Sequence, residues 1–412
     1  TTVWPALLGV EKTVVERVVF DGEEETLVAH VRPRGRSKGR CGLCRRRCPA
    51  YDRGEGRRRW RALDLGLFRA FVEAQAPRVS CPEHGVVVAH VPWARHGARH
   101  TVAFDDTVAW LATRTSKSTL EQLLRIAWRT VGAIVARVVA DGVAARDPLA
   151  GLRRIGIDEI SYKKGHRYIT IVVDHDTGRL VWAAPGRDRK TLAKFFAALG
   201  ADRCAAITHV SADAARWIAE EVAQACPNAV RCADPFHVVA WATDALDQVR
   251  RETWNAARKG GMSVHARDLK GARYALWKNP EDLTERQQTK LAWVAKVNHR
   301  LYRAYLLKEQ LRQVFALKGE EGKALLDRWL AWARRCQIPA FVELAKRITT
   351  HRTSIDASLE HRLSNGLVES TNTKVRLLTR MAFGFKSPDA MIALAMLNLG
   401  GYCPPLPGRK AA

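Results

Sequence analysis

The 412-residue sequence has no uninterrupted apolar run long enough to span a bilayer, and no signal peptide is recognisable in it. We therefore expect a cytoplasmic protein rather than a membrane or secreted one. Acidic residues are scarce, since 42 Asp and Glu stand against 68 Lys and Arg, which gives a formal net charge of +26. Because 47% of the residues are hydrophobic, we expect a folded, multidomain chain. Its positive charge predicts a polyanionic partner, with nucleic acid the leading candidate.

The nine cysteines are odd in number and do not form the pattern of a disulfide scaffold. Cys41 and Cys44 are separated by two residues, and Cys81 and His84 repeat that spacing further along the chain. This arrangement is typical of two knuckles around tetrahedral Zn²⁺, so we predict a structural zinc site. Four other side chains remain possible ligands: Cys48, His90, His96 and His100.

The first ninety residues are predicted to be rich in β-structure. Residues 13–20 and 25–30 alternate apolar and polar side chains around Asp21-Gly22, which predicts a hairpin. Between Arg32 and Arg61, twelve arginines and one lysine stand against two acids, a density typical of disordered or phosphate-facing segments. Six arginines near the zinc knuckles are predicted to contact DNA phosphates: Arg45, Arg46, Arg47, Arg57, Arg58 and Arg59.

Three short helices are predicted next, over residues 104–113, 118–126 and 128–139, with a tight step between the second and third. This pattern favours a helix-turn-helix. The third helix would read DNA, with three candidate contacts: Arg129, Thr130 and Arg137. The alternative is a helical bundle that only packs through its apolar side chains.

Beyond residue 148 the pattern changes to three strands, at 154–158, 168–174 and 180–184, followed by alternating helices and strands. This order predicts an α/β sheet with an antiparallel side. Residues 253–352 are helical in pattern, with no strand signal, and are interpreted as an insertion. A helix over 367–379 would then return to the sheet.

Three acids stand out in this second half. Asp158 and Asp213 each end an apolar strand, and Glu369 lies in a helical stretch that also carries Lys374 and Arg376. Carboxylates that converge from separate elements can hold paired Mg²⁺ ions around a reacting phosphate. The alternatives are aspartates that cap a turn or a helix, and a solvated charge run on the last helix.

Five segments together resemble the DDE transposases of the ISL-three insertion-sequence family. They are Gly-Ile-Asp-Glu at 156–159, Val-Ser-Ala-Asp at 210–213, Asp-Pro-Phe-His-Val at 234–238, Ser-Asn-Gly-Leu-Val-Glu-Ser-Thr-Asn at 364–372, and Phe-Gly-Phe at 383–385. The resemblance implies a ribonuclease H-like core interrupted by a helical insertion, with Asp158, Asp213 and Glu369 as ligands of Mg²⁺ or Mn²⁺. Asp234 and His237 match an Asp-x-x-His element near the scissile phosphate. Asp234 is the alternative second metal ligand, although the strand order favours Asp213.

The predicted fold is therefore multidomain, with a β-rich zinc ribbon, a helix-turn-helix domain and an α/β ribonuclease H-like core that carries an all-helical insertion. The predicted boundaries are 1–92 for the ribbon, 93–147 for the helix-turn-helix, 148–252 and 353–412 for the two parts of the core, and 253–352 for the insertion.

The function that this resemblance implies is transposition. The chain would bind the terminal inverted repeats of an insertion sequence as a homodimer or higher oligomer, and would cleave and join DNA by two-metal phosphoryl transfer. It would act on double-stranded DNA in the cytoplasm of a prokaryote, associated with the nucleoid. Two alternatives remain: a catalytically inactive DNA-binding regulator, and a structure-specific nuclease on the same fold.

Overall fold

The structure is a computed structural model that describes residues 3–163, 165–213, 215–317, 319–361, 363 and 365–409. Ala214, which directly follows Asp213, and Ser364, the first residue of the motif quoted at 364–372, lie outside the described residues. The described residues form two compact units. The first comprises residues 3–148 and 375–409, and the second comprises residues 149–374.

The first unit begins with two small sheets. Its opening elements are α1 (Val3–Leu7), β1 (Thr13–Asp21), β2 (Thr26–Pro33), β3 (Ala50–Asp52), β4 (Arg57–Arg61), β5 (Arg69–Gln75), β6 (Arg78–Cys81) and β7 (Gly85–Val88). One sheet has the order β1-β2-β5-β4 and the other β3-β6-β7. Strands β1 and β2 form the predicted hairpin. The alternative of a disordered basic tract is wrong, because β3 and β4 form within it and Trp60 is buried against Val72 and Trp93 in the core.

The three predicted helices are confirmed as α2 (Val102–Ala112), α3 (Lys117–Leu124) and α4 (Trp128–Ala145). Thr101 caps α2 and Ser116 caps α3, each with a side-chain oxygen that accepts a backbone N–H. The tight step after α3 passes through Arg125, whose φ of 52° is left-handed. The apolar face of α4 is fully packed, since its buried residues are Val131, Ile134, Val135 and Val138.

The second unit contains a five-stranded mixed sheet. Its strands are β8 (Arg154–Lys163), β9 (Arg167–Asp174), β10 (Leu180–Pro185), β11 (His209–Ala212) and β12 (Val230–Ala233), in the order β10-β9-β8-β11-β12. Strands β8, β9 and β10 pair antiparallel, whereas β11 is parallel to both β8 and β12. Helices α5 (Arg189–Leu199), α6 (Ala201–Ala205) and α7 (Arg216–Ala225) alternate with the last strands. The predicted α/β sheet with an antiparallel side is confirmed.

One prediction about this sheet is wrong. Asp158 does not end its strand, because β8 continues to Lys163. Pairing of β8 with β11 stops at Ile157, but pairing with β9 continues to the end of β8. The antiparallel neighbour therefore prolongs the strand beyond the point where its apolar pattern stops.

Helices fill the rest of the second unit: α8 (Pro235–Lys259), α9 (Ser263–Gly271), α10 (Arg273–Trp277), α11 (Glu285–Val297), α12 (His299–Leu317), α13 (Gly319–Arg335), α14 (Pro339–Thr350) and α15 (Arg352–His361). Over 253–352, the described residues contain no strand, as predicted. These helices have a core of their own around Trp329, Phe341 and Leu311. Two helices follow, α16 (Gly366–Met381) and α17 (Pro388–Leu399), and the boundary between the units falls within α16.

Candidate active site and zinc site

Cys41, Cys44, Cys81 and His84 bring their ligand atoms within 4.8 Å of one another. The Sγ atoms of Cys44 and Cys81 are 3.7 Å apart, and Nδ1 of His84 lies 3.6 Å from Sγ of Cys81 and 3.9 Å from Sγ of Cys41. Ligands bonded at about 2.0–2.3 Å to a tetrahedral zinc lie roughly 3.3–3.8 Å from one another. Both the spacing and the donor set of three thiols and one imidazole therefore fit a structural Zn²⁺.

Two turns build this quartet. The backbone N–H of Arg45 donates to the carbonyl of Cys41 across the first turn, and the N–H of Leu43 donates to Sγ of Cys41 at 3.4 Å. In the second turn, Cys81 ends β6 and pairs with Gly85, which places His84 beside it. The hydrogen bond with His84 lowers the pKa of Cys81 to about 6, towards the thiolate that zinc binds.

The other predicted zinc ligands lie outside this quartet. Cys48 is buried and donates its S–H to the carbonyl of Arg46. His100 stacks on Phe104 at 5.1 Å between ring centroids. His90 and His96 also belong to neither turn of the quartet.

The predicted DNA-contacting residues differ in their exposure and in their ion pairs. Arg57 and Arg59 donate to opposite oxygens of Glu73 at 2.7 and 2.6 Å, and Arg137 pairs with the fully buried Asp105 at 3.0 Å. Arg137 is therefore paired with a buried carboxylate, whereas Arg57 and Arg59, which are exposed, share the single charge of Glu73. Arg58 is half-buried, with its guanidinium 5.6 Å from the Trp60 ring centroid. Thr130 is partly buried. The remaining candidates are exposed to solvent: Arg45, Arg46, Arg47, Arg129, Lys374 and Arg376.

The acidic site is built on the parallel strands of the second unit. The register places Ile157 opposite Ala212, and Ala212 opposite Ala233. In each of the three strands, the residue that follows is an aspartate: Asp158 after Ile157, Asp213 after Ala212 and Asp234 after Ala233. Because the strands run side by side in this register, the three aspartates form one row at the same level of the sheet.

Asp213 and Asp234 have different local roles. The N-cap of α7 is Ala215, so Asp213 does not cap that helix and its side chain stays about one-third exposed. Asp234 is only 2% exposed and caps α8, where its carboxylate accepts the N–H of Phe236. Asp213 is thus the more accessible of these two carboxylates.

Helix α16 carries Glu369 in its first turn, near enough to Asp234 and Asp158 for their charges to act on its carboxylate. One turn after Glu369, Nδ2 of the buried Asn372 donates to Oδ2 of Asp158 at 2.7 Å, and the other oxygen of Asp158 accepts the N–H of Glu159 at 2.7 Å. The approach of the helix is close, because a Cβ at Gly156 would overlap Cγ2 of Val368. The helix that carries Glu369 is therefore fixed directly to the strand that carries Asp158.

His237 lies on the first turn of α8. Its Nδ1 donates to Oδ2 of Asp234 at 2.8 Å, and its Nε2 is 3.8 Å from Oδ1 of Asp213. The buried Asp234 therefore orients the imidazole, and the other ring nitrogen faces the more exposed aspartate.

A chain of hydrogen bonds runs from His175 to Asp234, and the sequence analysis did not predict it. His175 donates to the Ser211 hydroxyl at 2.7 Å, and Ser211 donates to Oδ1 of Asn365 at 2.6 Å. The backbone N–H of Asn365 then donates to Oδ1 of Asp234 at 3.3 Å. Ser211 and Asn365 both lie within the quoted motifs, so polar residues beside the acids were the available signal.

The electrostatics of the site follow from burial and crowding. Burial raises the pKa of Asp158 and that of Glu369. Burial, with the charge of Asp158, raises the pKa of Glu159 to about 7. The hydrogen bond to Asp234 raises the pKa of His237 to about 8, so its imidazole is charged at neutral pH. One imidazolium thus stands among several carboxylates whose ionisation would be favoured by a bound cation.

These carboxylates are more widely spaced than the zinc ligands. Throughout the described part of the chain, only the Cys41 quartet brings three or more Cys, His, Asp or Glu ligand atoms within 4.8 Å of one another. The donor set of Asp158, Asp213 and Glu369 is nevertheless made of hard oxygen atoms, which suit Mg²⁺ or Mn²⁺.

Three family models match the chain in the order of its structural parts. Residues 37–84 match the zinc-finger of transposase IS204/IS1001/IS1096/IS1165, and residues 89–139 match the helix-turn-helix domain of transposase family ISL3. Residues 155–395, more than half of the chain, match the transposase model of the same family. The chain belongs to the ISL3 family of transposases.

Full-length relatives agree with this assignment. The chain is 63% identical to the transposase for insertion sequence element IS1557 of Mycobacterium tuberculosis, from strains CDC 1551 / Oshkosh and H37Rv, over 98% of this chain and 96% of the relative. It is 26% identical to the transposase for insertion sequence element IS1001 of Bordetella parapertussis, over 91% of this chain and 92% of that protein.

Several predictions are confirmed by these findings. This ISL3 transposase has an N-terminal zinc ribbon, a DNA-binding helix-turn-helix and a C-terminal transposase domain. Its Cys₃His quartet supports a structural zinc in the ribbon. In the described part of the chain, no helix is both long and apolar enough to cross a membrane.

Proposed function

We propose that this transposase binds the terminal inverted repeats of its own insertion element and cleaves and joins DNA there by metal-dependent phosphoryl transfer. Asp158, Asp213 and Glu369 would be the metal-binding carboxylates. The observation that carries the proposal is the 2.7 Å hydrogen bond from Asn372 to Asp158, because it joins the Glu369 helix to the strand of Asp158.

Asp158 and Asp213 directly follow the paired residues Ile157 and Ala212 of neighbouring strands, and Asp158 is held by two hydrogen bonds that orient its oxygens. Divalent ions bound by these carboxylates would activate the attacking hydroxyl or water and stabilise the leaving oxygen of an in-line displacement. Carboxylate oxygens are the ligands that such ions prefer.

His237 would hold a proton beside the reacting phosphate. Its Nδ1–H is fixed by Asp234, and a pKa of about 8 keeps Nε2 protonated at neutral pH. A protonated Nε2 near Asp213 can donate to a phosphate oxygen. Asp234 would act as the residue that orients it rather than as the second metal ligand.

We interpret the sheet order β10-β9-β8-β11-β12 as a ribonuclease H-like core, interrupted by the helical segment that precedes α16. We also propose that the domains of the chain meet near residues 92, 147, 252 and 352. Exposed cations of the ribbon and of α4, among them Arg46, Arg47 and Arg129, would contact DNA. Assembly on two element ends would need at least a dimer, associated with the nucleoid.

The experiment compares wild type with Asp158→Ala on duplex DNA that carries an end of the element, in the presence of Mg²⁺. We expect the substitution to lower strand cleavage and strand transfer by more than about 100-fold. Losing a residue that only orients a metal ligand typically costs about 10- to 100-fold in activity, and losing the ligand itself should cost more. End binding should be unchanged. Asp202→Asn, which alters an exposed acid of the same unit, is the matched control.

Two other results would replace the proposal. Wild-type protein that binds the ends but does not cleave them with Mg²⁺ or Mn²⁺ would favour a DNA-binding regulator. Cleavage that depends on DNA shape but not on the end sequence would favour a structure-specific nuclease. Full activity in Asp158→Ala would remove Asp158 from the site.

A further inference from the structure

An open groove of about 910 Å³ lies in the first unit beside the zinc turns. Its lining is almost entirely cationic or small: Lys12, Arg34, Gly35, Arg36, Ser37, Arg40, Arg45 and His90. No Phe, Tyr or Trp contributes to it. The groove therefore offers positive charge without a surface on which an unpaired base would stack.

In the part of the chain that the structure describes, the cations of this groove form no short ion pairs, although Asp141 is near enough to Arg45 to act on its charge. Among the described residues, no carboxylate lies within 4.0 Å of the charged atoms of Lys12, Arg34, Arg36, Arg40 or Arg45. Other cations of the same basic tract do have such partners, as Arg57 and Arg59 have in Glu73. Several unpaired cations in a concave surface repel one another, and a bound polyanion would relieve that repulsion.

One wall of the groove is held in a fixed shape. Nε of Arg40 donates to the carbonyl of Arg36 at 3.3 Å, and Nη1 of Arg40 donates to the carbonyl of Arg45 at 3.0 Å. Arg40 directly precedes Cys41, and Arg45 directly follows Cys44. The same turns that build the zinc quartet therefore position these two cations.

We propose that this groove binds the phosphate backbone of duplex DNA, as a contact of the zinc ribbon separate from the readout by α4. Cations without aromatic neighbours contact phosphates and fix the position of the protein, but do not read bases. The proposal rests on the proposed function, because it assigns a site to the DNA that the transposase handles. It also assigns the phosphate contacts of the ribbon to Lys12, Arg34, Arg36 and Arg40 rather than to Arg57 and Arg59, which were predicted from the sequence.

The test is the salt dependence of duplex binding by two triple variants, both in an Asp158→Ala background so that no cleavage interferes. The groove variant is Lys12→Gln, Arg34→Gln and Arg36→Gln, whose side chains are exposed. The matched control is Lys38→Gln, Arg53→Gln and Arg99→Gln, which removes the same charge from exposed positions outside the groove. Fluorescence anisotropy with a labelled duplex gives the dissociation constant at each salt concentration.

Three lost phosphate contacts should reduce the slope of log affinity against log salt by roughly 2 to 3, and weaken binding at least about tenfold near 0.1 M salt. The control triple should change the slope by less than about 1. Equal slopes and affinities for the two triples would overturn the groove assignment. That failure is distinct from failure of the proposed function, which would show as a wild-type protein that binds DNA but does not cleave it.

Discussion

At the scale of single residues, the carboxylates of the candidate site are oriented by amide and imidazole neighbours. Asp158 is held by Asn372 and by a backbone N–H, whereas Asp234 is held by His237 and Asn365. Asn372 and Asn365 each keep one buried polar atom without a partner in the described structure. An unpaired buried polar atom costs stability, so positions of this kind are more typical of functional sites than of ordinary packing.

Asn372 gives the first prediction. Asn372→Ala removes the hydrogen bond to Asp158 but leaves all three proposed metal ligands in place. We expect the apparent affinity for Mn²⁺, measured from the metal dependence of cleavage, to fall by roughly 10- to 100-fold. Thr373→Ala, at the adjacent exposed position, is the control and should behave as wild type. Unchanged metal dependence in Asn372→Ala would show that Asp158 is oriented by other contacts.

His237 gives a prediction about pH. Its pKa of about 8 lies above the ordinary value of 6.5 because Asp234 accepts its Nδ1–H. A raised pKa stabilises the folded state fully below the ordinary value, and this stabilisation is lost as pH rises through about 8. The melting temperature of wild type minus that of His237→Gln should therefore shrink between about pH 6 and pH 9. The exposed His299→Gln is the control, and a difference that grows with pH would contradict the assignment.

At the scale of elements, the sequence predicted most helices and strands because their apolar periodicity is strong. Helix α4, for example, begins at Trp128, where the third short helix was predicted to begin. Strand β8 was predicted to be too short because most of its last residues are polar. They are ordered by pairing with β9, and such pairing cannot be recognised from the local sequence pattern. Asp158 and Asp213 could be singled out from the sequence because each follows an apolar run, and the pairing of β8 with β11 stops at the residue before each of them.

Gly156 tests the contact between β8 and α16. A methyl group there would overlap Val368 and would also press on His175 and Ser211. Gly156→Ala should therefore destabilise the protein by about 1–3 kcal/mol, as overpacked sites do, and should lower cleavage by displacing the Glu369 helix. Thermal unfolding and the cleavage rate measure the two effects.

The control for this substitution is Gly271→Ala. Gly271 ends α9, and nothing lies within 4 Å of a Cβ built there. The free energy of unfolding of Gly271→Ala should stay within about 0.5 kcal/mol of the wild-type value. Equal behaviour of the two alanine variants would mean that β8 and α16 are not in close contact.

The zinc ribbon allows a prediction that compares two of its buried cysteines, Cys81 and Cys48. Cys81→Ser removes a ligand of the quartet, whereas Cys48→Ser preserves a hydrogen-bond donor that points at the carbonyl of Arg46. We expect zinc content, measured by mass spectrometry of the purified protein, to fall from one ion per chain to near none for Cys81→Ser and to stay near one for Cys48→Ser. Loss of zinc from Cys48→Ser would place Cys48 in the ligand set.

At the scale of the whole molecule, the sequence predicted a nucleic-acid-binding protein from charge, but not which cations remain free. Arg59 lies directly opposite Glu73 on the neighbouring strand, although the two are far apart in sequence. Arg137 is likewise paired with Asp105 of α2. Such pairing depends on strand register and helix packing, so it cannot be obtained from the density of arginine along the chain. The zinc quartet was predictable because its spacing is local within each turn.

The central claim is that divalent ions bound by Asp158, Asp213 and Glu369 carry out DNA cleavage. The most direct test exchanges a hard oxygen ligand for a soft sulfur one and compares the cleavage rates with Mg²⁺ and Mn²⁺. We predict that Asp213→Cys loses cleavage with Mg²⁺ by more than about 100-fold and regains a substantial part of it with Mn²⁺, whereas Asp202→Cys behaves as wild type with both ions. Wild-type cleavage by Asp213→Cys in Mg²⁺ would contradict the account.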